Sequence, residues 1–189
     1  MNPPGAPAAH PPRGGNASGR AEPDPRRLLG STLVRRVAAF EALFERIAAT
    51  RMQGIPILNP ALRVQAVGFE PGPDAAAAAV GVLVTPWFMN LVWLPLDEQD
   101  ADVAPPGATR EHAVGNERFA FIGAVEPVFG RFEVCSLFSP MGEFADQDGA
   151  VATARAVLDE LRRAPTAAVP VPSRRALLLG RAAASGAGP

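Results

Sequence analysis

The sequence predicts an α+β domain in two layers: an antiparallel sheet of about five strands with an N-terminal and a C-terminal helix. Two amphipathic segments, one near each end of the central region, have the three- and four-residue apolar spacing of helices. Between them lie short alternating or continuously apolar runs, separated by turns rich in proline and glycine. The order helix, strands, helix is typical of the α+β class.

Composition divides the 189 residues into one domain, residues 24–164, between two tails rich in proline, alanine and glycine. Residues 1–23 contain too few large apolar side chains to offset the entropy of ordering, and residues 165–189 resemble them in composition, so we expect both tails to be disordered. The formal net charge of -1 indicates neither a nucleic-acid-binding protein nor one that binds an anionic membrane. A single cysteine excludes an intramolecular disulfide framework and suits a reducing cytoplasm. The first residues lack the apolar core of an export signal, so none is expected.

The first helix is predicted to begin at Asp24 and Pro25, which are suitable residues for an N-cap and a first helical position. We expect it to end near Gly54, since glycine and the following Pro56 both terminate helices. Its apolar stripe consists of Leu29, Leu33, Val37, Phe40, Phe44 and Ile47.

A run from residue 80 to residue 95 is the most apolar stretch of the chain, and Pro86 interrupts it. Because proline cannot donate to a strand ladder, the run predicts two strands, 80–85 and 88–94, rather than one helix. Further strands are predicted at 62–69, 118–123 and 131–138. Residues 97–115 are predicted to form a polar loop, and residues 146–163 the last helix.

Residues with catalytic or metal-binding chemistry are few. Cys135 has His112 as its one candidate base outside the tails, because the other histidine, His10, lies in residues 1–23; a small buried cysteine is the simpler interpretation. Glu143 and Asp146 are either paired carboxylates or acidic residues favoured at a helix N-terminus. A solvated loop is the preferred interpretation of four further acidic residues, which lack the spacing of a calcium loop: Asp97, Glu98, Asp100 and Asp102. We therefore predict no catalytic residues, no metal and no cofactor.

Four blocks of sequence, in order, resemble one family. They are Asn59-Pro60 with the alternating residues up to Phe69, GVLVTPWFMNL at 81–91, CSLFSPM at 135–141 followed by Phe-Ala-Asp, and SRRALLLG at 173–180. Together they resemble the nickel–iron hydrogenase assembly chaperones of the HybE/HupJ type, over roughly residues 28–181. Gln65 and Gly142 depart from the family pattern without breaking a block. Some members carry a fused rubredoxin-like domain with CxxC pairs; this chain has none, so the resemblance implies no bound iron.

The resemblance implies a non-catalytic, soluble cytoplasmic accessory protein that binds a hydrogenase subunit during maturation. The small iron–sulfur subunit, as a precursor with a twin-arginine export signal, is the expected client; the large subunit and other maturation proteins are further possible partners. Trp87 and Phe88 are either contact residues or core. The hypothetical contact surface comprises Thr85, Pro86, Trp87, Phe88, Met89, Asn90, Cys135, Ser136, Ser139, Pro140 and Met141.

The tail motif at 173–180 resembles the S-R-R-x-F-L-K pattern of twin-arginine signals, although it lies at the wrong end of the chain for export. One hypothesis is that it occupies the chaperone's own signal-binding site; the alternative is a basic tail patch with no such role. The residues concerned are Ser173, Arg174, Arg175, Leu177 and Leu178. Two other functions stay open: a general peptide-binding chaperone for another exported redox protein, and a small enzyme that uses Cys135.

Overall fold

The computed structural model describes residues 25–72, 78–97 and 103–163, which form two helices and a six-stranded antiparallel sheet. The two tails, and the acidic residues at 98, 100 and 102, lie outside the described residues. The elements are α1 (Pro25–Ala49), β1 (Gln65–Pro71), β2 (Ala78–Val84), β3 (Met89–Pro95), β4 (Thr109–Val114), β5 (Glu117–Glu126), β6 (Gly130–Phe138) and α2 (Gln147–Arg162).

The sheet has the strand order β1-β2-β3-β6-β5-β4, so two three-stranded meanders meet where β3 pairs with β6. Every residue of β2 and β3 is buried, because these two strands lie inside the sheet and are covered on both faces. This explains why their sequence is almost continuously apolar instead of alternating with polar residues.

The two helices cover opposite faces of the sheet. Phe40 and Phe44 of α1 share a buried cluster with Leu83 and other residues on one face. Leu158 of α2 belongs to a second cluster, which includes Val82, on the other face. The α+β class and the antiparallel sheet are confirmed, but the sheet is the middle of three layers rather than one of two. Adjacent positions of β2 carry apolar side chains to both faces, and each face therefore requires a cover.

The predicted helices and strands are confirmed with small shifts at their ends. Helix α1 ends at Ala49 rather than near Gly54, and turns occupy the residues between them. Helix α2 begins after Asp146, whose carboxylate accepts a hydrogen bond from Gly149 N at 2.8 Å, as expected of an N-cap. The prediction that 97–115 is a polar loop is wrong for β4, which pairs with β5 from Thr109 to Val114. It is an edge strand with few apolar residues, so the sequence carries little strand signal there.

Strand β1 contains a bulge. Its register with β2 shifts between Val67 and Glu70, and Gly68 has a positive φ of 60°. Residues other than glycine rarely adopt this conformation, so glycine permits the irregularity. Arg162 of α2 donates a hydrogen bond to the Gly68 carbonyl and pairs with Glu70 at 3.1 Å, which joins the bulge to the end of α2.

Candidate functional site

Three segments meet at one end of the sheet, which we call the hairpin end. They are the β2–β3 turn at 85–88, the connector at 55–62 between α1 and β1, and the loop at 139–146 between β6 and α2. The hairpin end contains most of the residues that the sequence suggests as contacts, and its geometry decides which of them are accessible.

The β2–β3 turn is held by Thr85, which is fully buried. Its hydroxyl accepts a hydrogen bond from Phe88 N and donates one to Phe88 O, each at 2.9 Å. The backbone N of Thr85 also donates to Phe88 O at 2.9 Å. Pro86 follows at the position where the ladder ends, so its missing N–H costs no sheet hydrogen bond. The threonine therefore fixes the turn from inside, while the next three residues are half-buried.

Trp87 and Phe88 form a half-buried aromatic surface that α1 supports. The Trp87 ring stacks on Phe44 at a centroid distance of 6.5 Å, and Phe88 meets Phe44 edge-on at 5.8 Å. The two rings are 5.4 Å apart and nearly perpendicular. They thus contribute one side to the core and leave the other accessible, a geometry that suits rigid contact residues.

Asn59 ties the three segments together. Its backbone N donates to Pro86 O at 2.8 Å, which joins the connector to the β2–β3 turn. Its side-chain amide donates to Met141 O at 3.0 Å and to Phe144 O at 2.7 Å, which joins the connector to the loop before α2. Its side-chain oxygen accepts from Ala61 N at 3.0 Å. The amide therefore uses both its donor and its acceptor capacity to fix the hairpin end.

An open groove of about 450 Å³, with a surface divided almost evenly between polar and apolar atoms, lies between the connector and the loop before α2. We call it the connector groove. It is lined by eight residues, none of them charged: Pro56, Ile57, Leu58, Asn59, Pro60, Pro140, Gly142 and Phe144. Ile57 is 46% exposed and the neighbouring Ile55 is 38% exposed, so two large apolar side chains face water here.

Three acidic residues lie close in the chain to Phe144, which lines the connector groove. Glu143, Asp146 and Asp148 are all exposed and flank Phe144 in the chain. Asp146 is the N-cap of α2, as one interpretation of the sequence expected, and Glu143 lies three residues before it in the chain.

The predicted contact residues fall into groups of different accessibility. Ser139 and Pro140 are exposed, and Pro86 is half-buried like the two aromatic residues after it. Cys135 and Ser136 are neighbours on β6 and so point to opposite faces. The side chains of the remaining four are buried and can shape the surface only from beneath: Thr85, Met89, Asn90 and Met141.

Residues that sequence reasoning did not select also shape the hairpin end. Ile55, Ile57, Asn59 and Phe144 lie at or beside the connector groove, yet none was among the predicted contacts. A signal was present, because residues 55–60 place one isoleucine before Pro56 and another after it, where no helix or strand pattern would bury them.

The cysteine does not have the environment of a nucleophile. Burial raises the pKa of the Cys135 thiol, so less thiolate is present at neutral pH than for an ordinary cysteine. His112 pairs through Nε2 with Glu133, and its ring stacks on Trp93 at 3.9 Å with an interplanar angle of 12°. Glu133 is fully buried and also accepts a hydrogen bond from Ala104 N at 2.6 Å. The histidine thus serves to satisfy a buried carboxylate.

The described residues contain neither a cluster of metal ligands nor a helix suited to cross a membrane. No group of three or more histidine, cysteine or acidic residues in 25–72, 78–97 and 103–163 could hold a metal ion. Neither α1 nor α2 combines the length and the hydropathy that a membrane crossing requires.

Known proteins share parts of this sequence, and one solved structure shares this fold. Residues 35–180 match the family described as [NiFe]-hydrogenase assembly, chaperone, HybE. Protein HoxT of Cupriavidus necator is 47% identical in an alignment of 165 residues that covers 80% of this chain and 92% of that protein. The probable rubredoxin HupJ of Rhodobacter capsulatus is 38% identical over 128 residues, 68% of this chain but only 45% of that protein. The solution structure of Escherichia coli HybE has the same fold, with a TM-score of 0.53, 19% identity and coverage of 67% of this chain and 76% of that one.

Proposed function

This chain belongs to the [NiFe]-hydrogenase assembly chaperone family HybE, and we propose that it is a non-catalytic chaperone for a hydrogenase subunit precursor. The client is the small, iron–sulfur-containing subunit with its twin-arginine signal, bound in the cytoplasm before export. The match over residues 35–180 is the observation that carries this proposal, because it spans nearly all of the described residues.

The hairpin end supports a role in binding. Trp87 and Phe88 present half-buried rings, and Ile55 and Ile57 expose apolar side chains nearby. Rigid aromatic and apolar groups beside an accessible groove are typical of the centre of a protein-binding site. Thr85 and Asn59 hold these groups in place through hydrogen bonds to the backbone, so a client meets a preformed surface.

Capture of the client from cells tests the proposal. The tagged chain is isolated from cells that make the hydrogenase, with the small subunit produced either with or without its signal. We expect the signal-bearing form to be retained and the signal-less form to be lost. Retention of both forms would move recognition to the folded subunit, and retention of neither would overturn the small subunit as the client.

A variant of Trp87 tests the surface. Because truncation of a central aromatic contact often costs 2 kcal/mol or more of binding free energy, Trp87→Ala should weaken capture by roughly 30-fold. The matched control is Val128→Ala, which removes an apolar side chain that is 78% exposed in the β5–β6 turn at the opposite end of the sheet. Thermal unfolding of both variants separates binding from stability. Weakened folding of Trp87→Ala without any loss of capture by the folded fraction would assign Trp87 to the core alone.

A further inference from the structure

One segment of the chain outside the described residues matches the connector groove in chemistry and in reach. We propose that residues 173–180, Ser-Arg-Arg-Ala-Leu-Leu-Leu-Gly, dock in the connector groove of the same molecule. The leucines lie against the apolar side chains of the groove, and Arg174 and Arg175 lie near Glu143 and Asp146. The family match extends to residue 180, so the segment lies within the matched region.

The groove offers apolar surface that the described residues leave exposed. Ile57 is 46% exposed, Pro140 is exposed and Phe144 is half-buried. Its volume of about 450 Å³ lies within the range of roughly 300–1,000 Å³ that is typical of ligand sites. Leu177, Leu178 and Leu179 are three consecutive large apolar side chains that can fill such a site.

Charge fixes the direction of the segment. Glu143 lies between the groove-lining residues Gly142 and Phe144, and Asp146 and Asp148 follow within four residues of Phe144. All three are exposed, and the α2 N-terminus offsets only about half a unit of their negative charge. The tail segment has two arginines just before its apolar residues, so it can place charge near the carboxylates and leucines against the groove.

The tail is long enough to reach. Asn116 donates to Arg163 O at 2.8 Å, which fixes the end of α2 beside the β4–β5 turn. The groove lies at the opposite end of α2, and 16 helical residues span about 24 Å. Residues 164–172 can extend over about 30 Å, since each adds roughly 3.3–3.6 Å. The segment can therefore reach the groove within its own molecule, where even weak affinity suffices because the effective concentration is high.

Docking of the tail has a consequence for the client. A twin-arginine signal also carries arginines ahead of an apolar stretch, so the client and the tail would compete for one groove. This competition rests on the proposed function, whereas the docking itself does not.

Paramagnetic broadening in the full chain tests the docking. A nitroxide is attached to Ala182→Cys, next to the segment, in a chain that also carries Cys135→Ser so that only one thiol is labelled. We expect the amide signals of Ile57, Gly142 and Phe144 to broaden, while Val128 at the far end of the sheet stays sharp. Sharp signals throughout the connector groove would overturn the proposal.

Two further variants identify the contacts. Ile57→Asp should abolish the broadening, and Val128→Asp, a matched change at another exposed apolar position, should leave it unchanged. Arg174→Glu combined with Arg175→Glu should also reduce the broadening and changes no residue of the described domain. If the broadening persisted in Ile57→Asp or in the double arginine variant, the proposal would be contradicted. No hydrogenase subunit is present in these samples, so a negative result leaves the proposed function intact, and failed client capture leaves the docking intact.

Discussion

The buried carboxylate of Glu133 depends on two partners. It accepts a hydrogen bond from Ala104 N and pairs with His112, whose ring lies against Trp93. A fully buried carboxylate without a partner is costly, because it loses its hydration and gains nothing in return. The pair thus holds the segment that enters β4 against the sheet.

Removal of the histidine should therefore destabilise the fold. We expect His112→Ala to lower the free energy of unfolding by about 3–5 kcal/mol, since it leaves Glu133 buried with one partner fewer. Glu133→Gln keeps an acceptor for Ala104 N and a donor for His112, and should cost only about 1–2 kcal/mol. Urea unfolding measures both. Equal losses in the two variants would contradict this account, because only His112→Ala leaves a carboxylate buried with one partner fewer.

Cys135 should show a pH dependence of its own. Burial raises the pKa of its thiol in the folded state, so the folded protein favours the protonated form relative to the unfolded chain. The stabilisation is complete below the unfolded pKa and is lost as pH rises through the folded pKa. It is small because the side chain is partly exposed.

The measurement is the rate of alkylation by iodoacetamide as a function of pH. We expect the midpoint for the folded protein to lie above that of the urea-unfolded chain, which should be near the ordinary thiol value of about 8.5. In parallel, the free energy of unfolding of the native chain should fall relative to that of Cys135→Ser as pH rises from the unfolded midpoint to the folded one. A folded midpoint below the unfolded one would indicate an activated thiol and revive a catalytic role.

At the scale of elements, the sequence predicted what periodicity and proline control. Pro86 divides β2 from β3, as its missing donor required, and the apolar spacing of residues 146–163 identified α2 almost to the residue. Strand β4 was not predicted, because it is held in the sheet by its pairing with β5 rather than by burial of its own side chains. Local pattern carries no information about such a partner.

The candidate site was predictable only in part, for a related reason. Trp87 and Phe88 were selected because they follow the break at Pro86 in an apolar run. The role of Asn59 was not predictable, because its amide reaches Met141 and Phe144, more than 80 residues away in the chain. Likewise, the burial of Met141 depends on a cluster assembled from several strands and α2.

At the scale of the whole molecule, the two cores share the central strands. Leu83 faces the α1 side while Val82 and Val84 face the α2 side, so neither cluster can loosen without disturbing β2. The chain also has one tryptophan in contact with each cluster: Trp87 packs against the α1 side, and Trp93 belongs to the α2 side. We therefore expect both layers to unfold in a single transition.

Single-tryptophan variants test this cooperativity. Trp93→Phe leaves Trp87 as the reporter of the α1 side, and Trp87→Phe leaves Trp93 as the reporter of the α2 side. In each variant, the urea midpoint of the fluorescence should coincide with that of the circular dichroism. Phe40→Ala, which acts on the α1 side, should lower stability by about 3–5 kcal/mol and shift the Trp93 signal as well. A Trp93 midpoint insensitive to Phe40→Ala would show that the layers unfold separately.

The bulge in β1 has a consequence for how the molecule avoids aggregation. An open sheet presents two edge strands, and a straight, unpaired edge is a template for further strands. In β1, the register shift at Val67 and the bond from Arg162 to the Gly68 carbonyl interrupt that template. At the opposite edge, β4 carries Arg110 and Glu111, charged side chains of the kind that discourage edge-to-edge pairing. The sheet can thus lie beside other polypeptides without recruiting them as further strands.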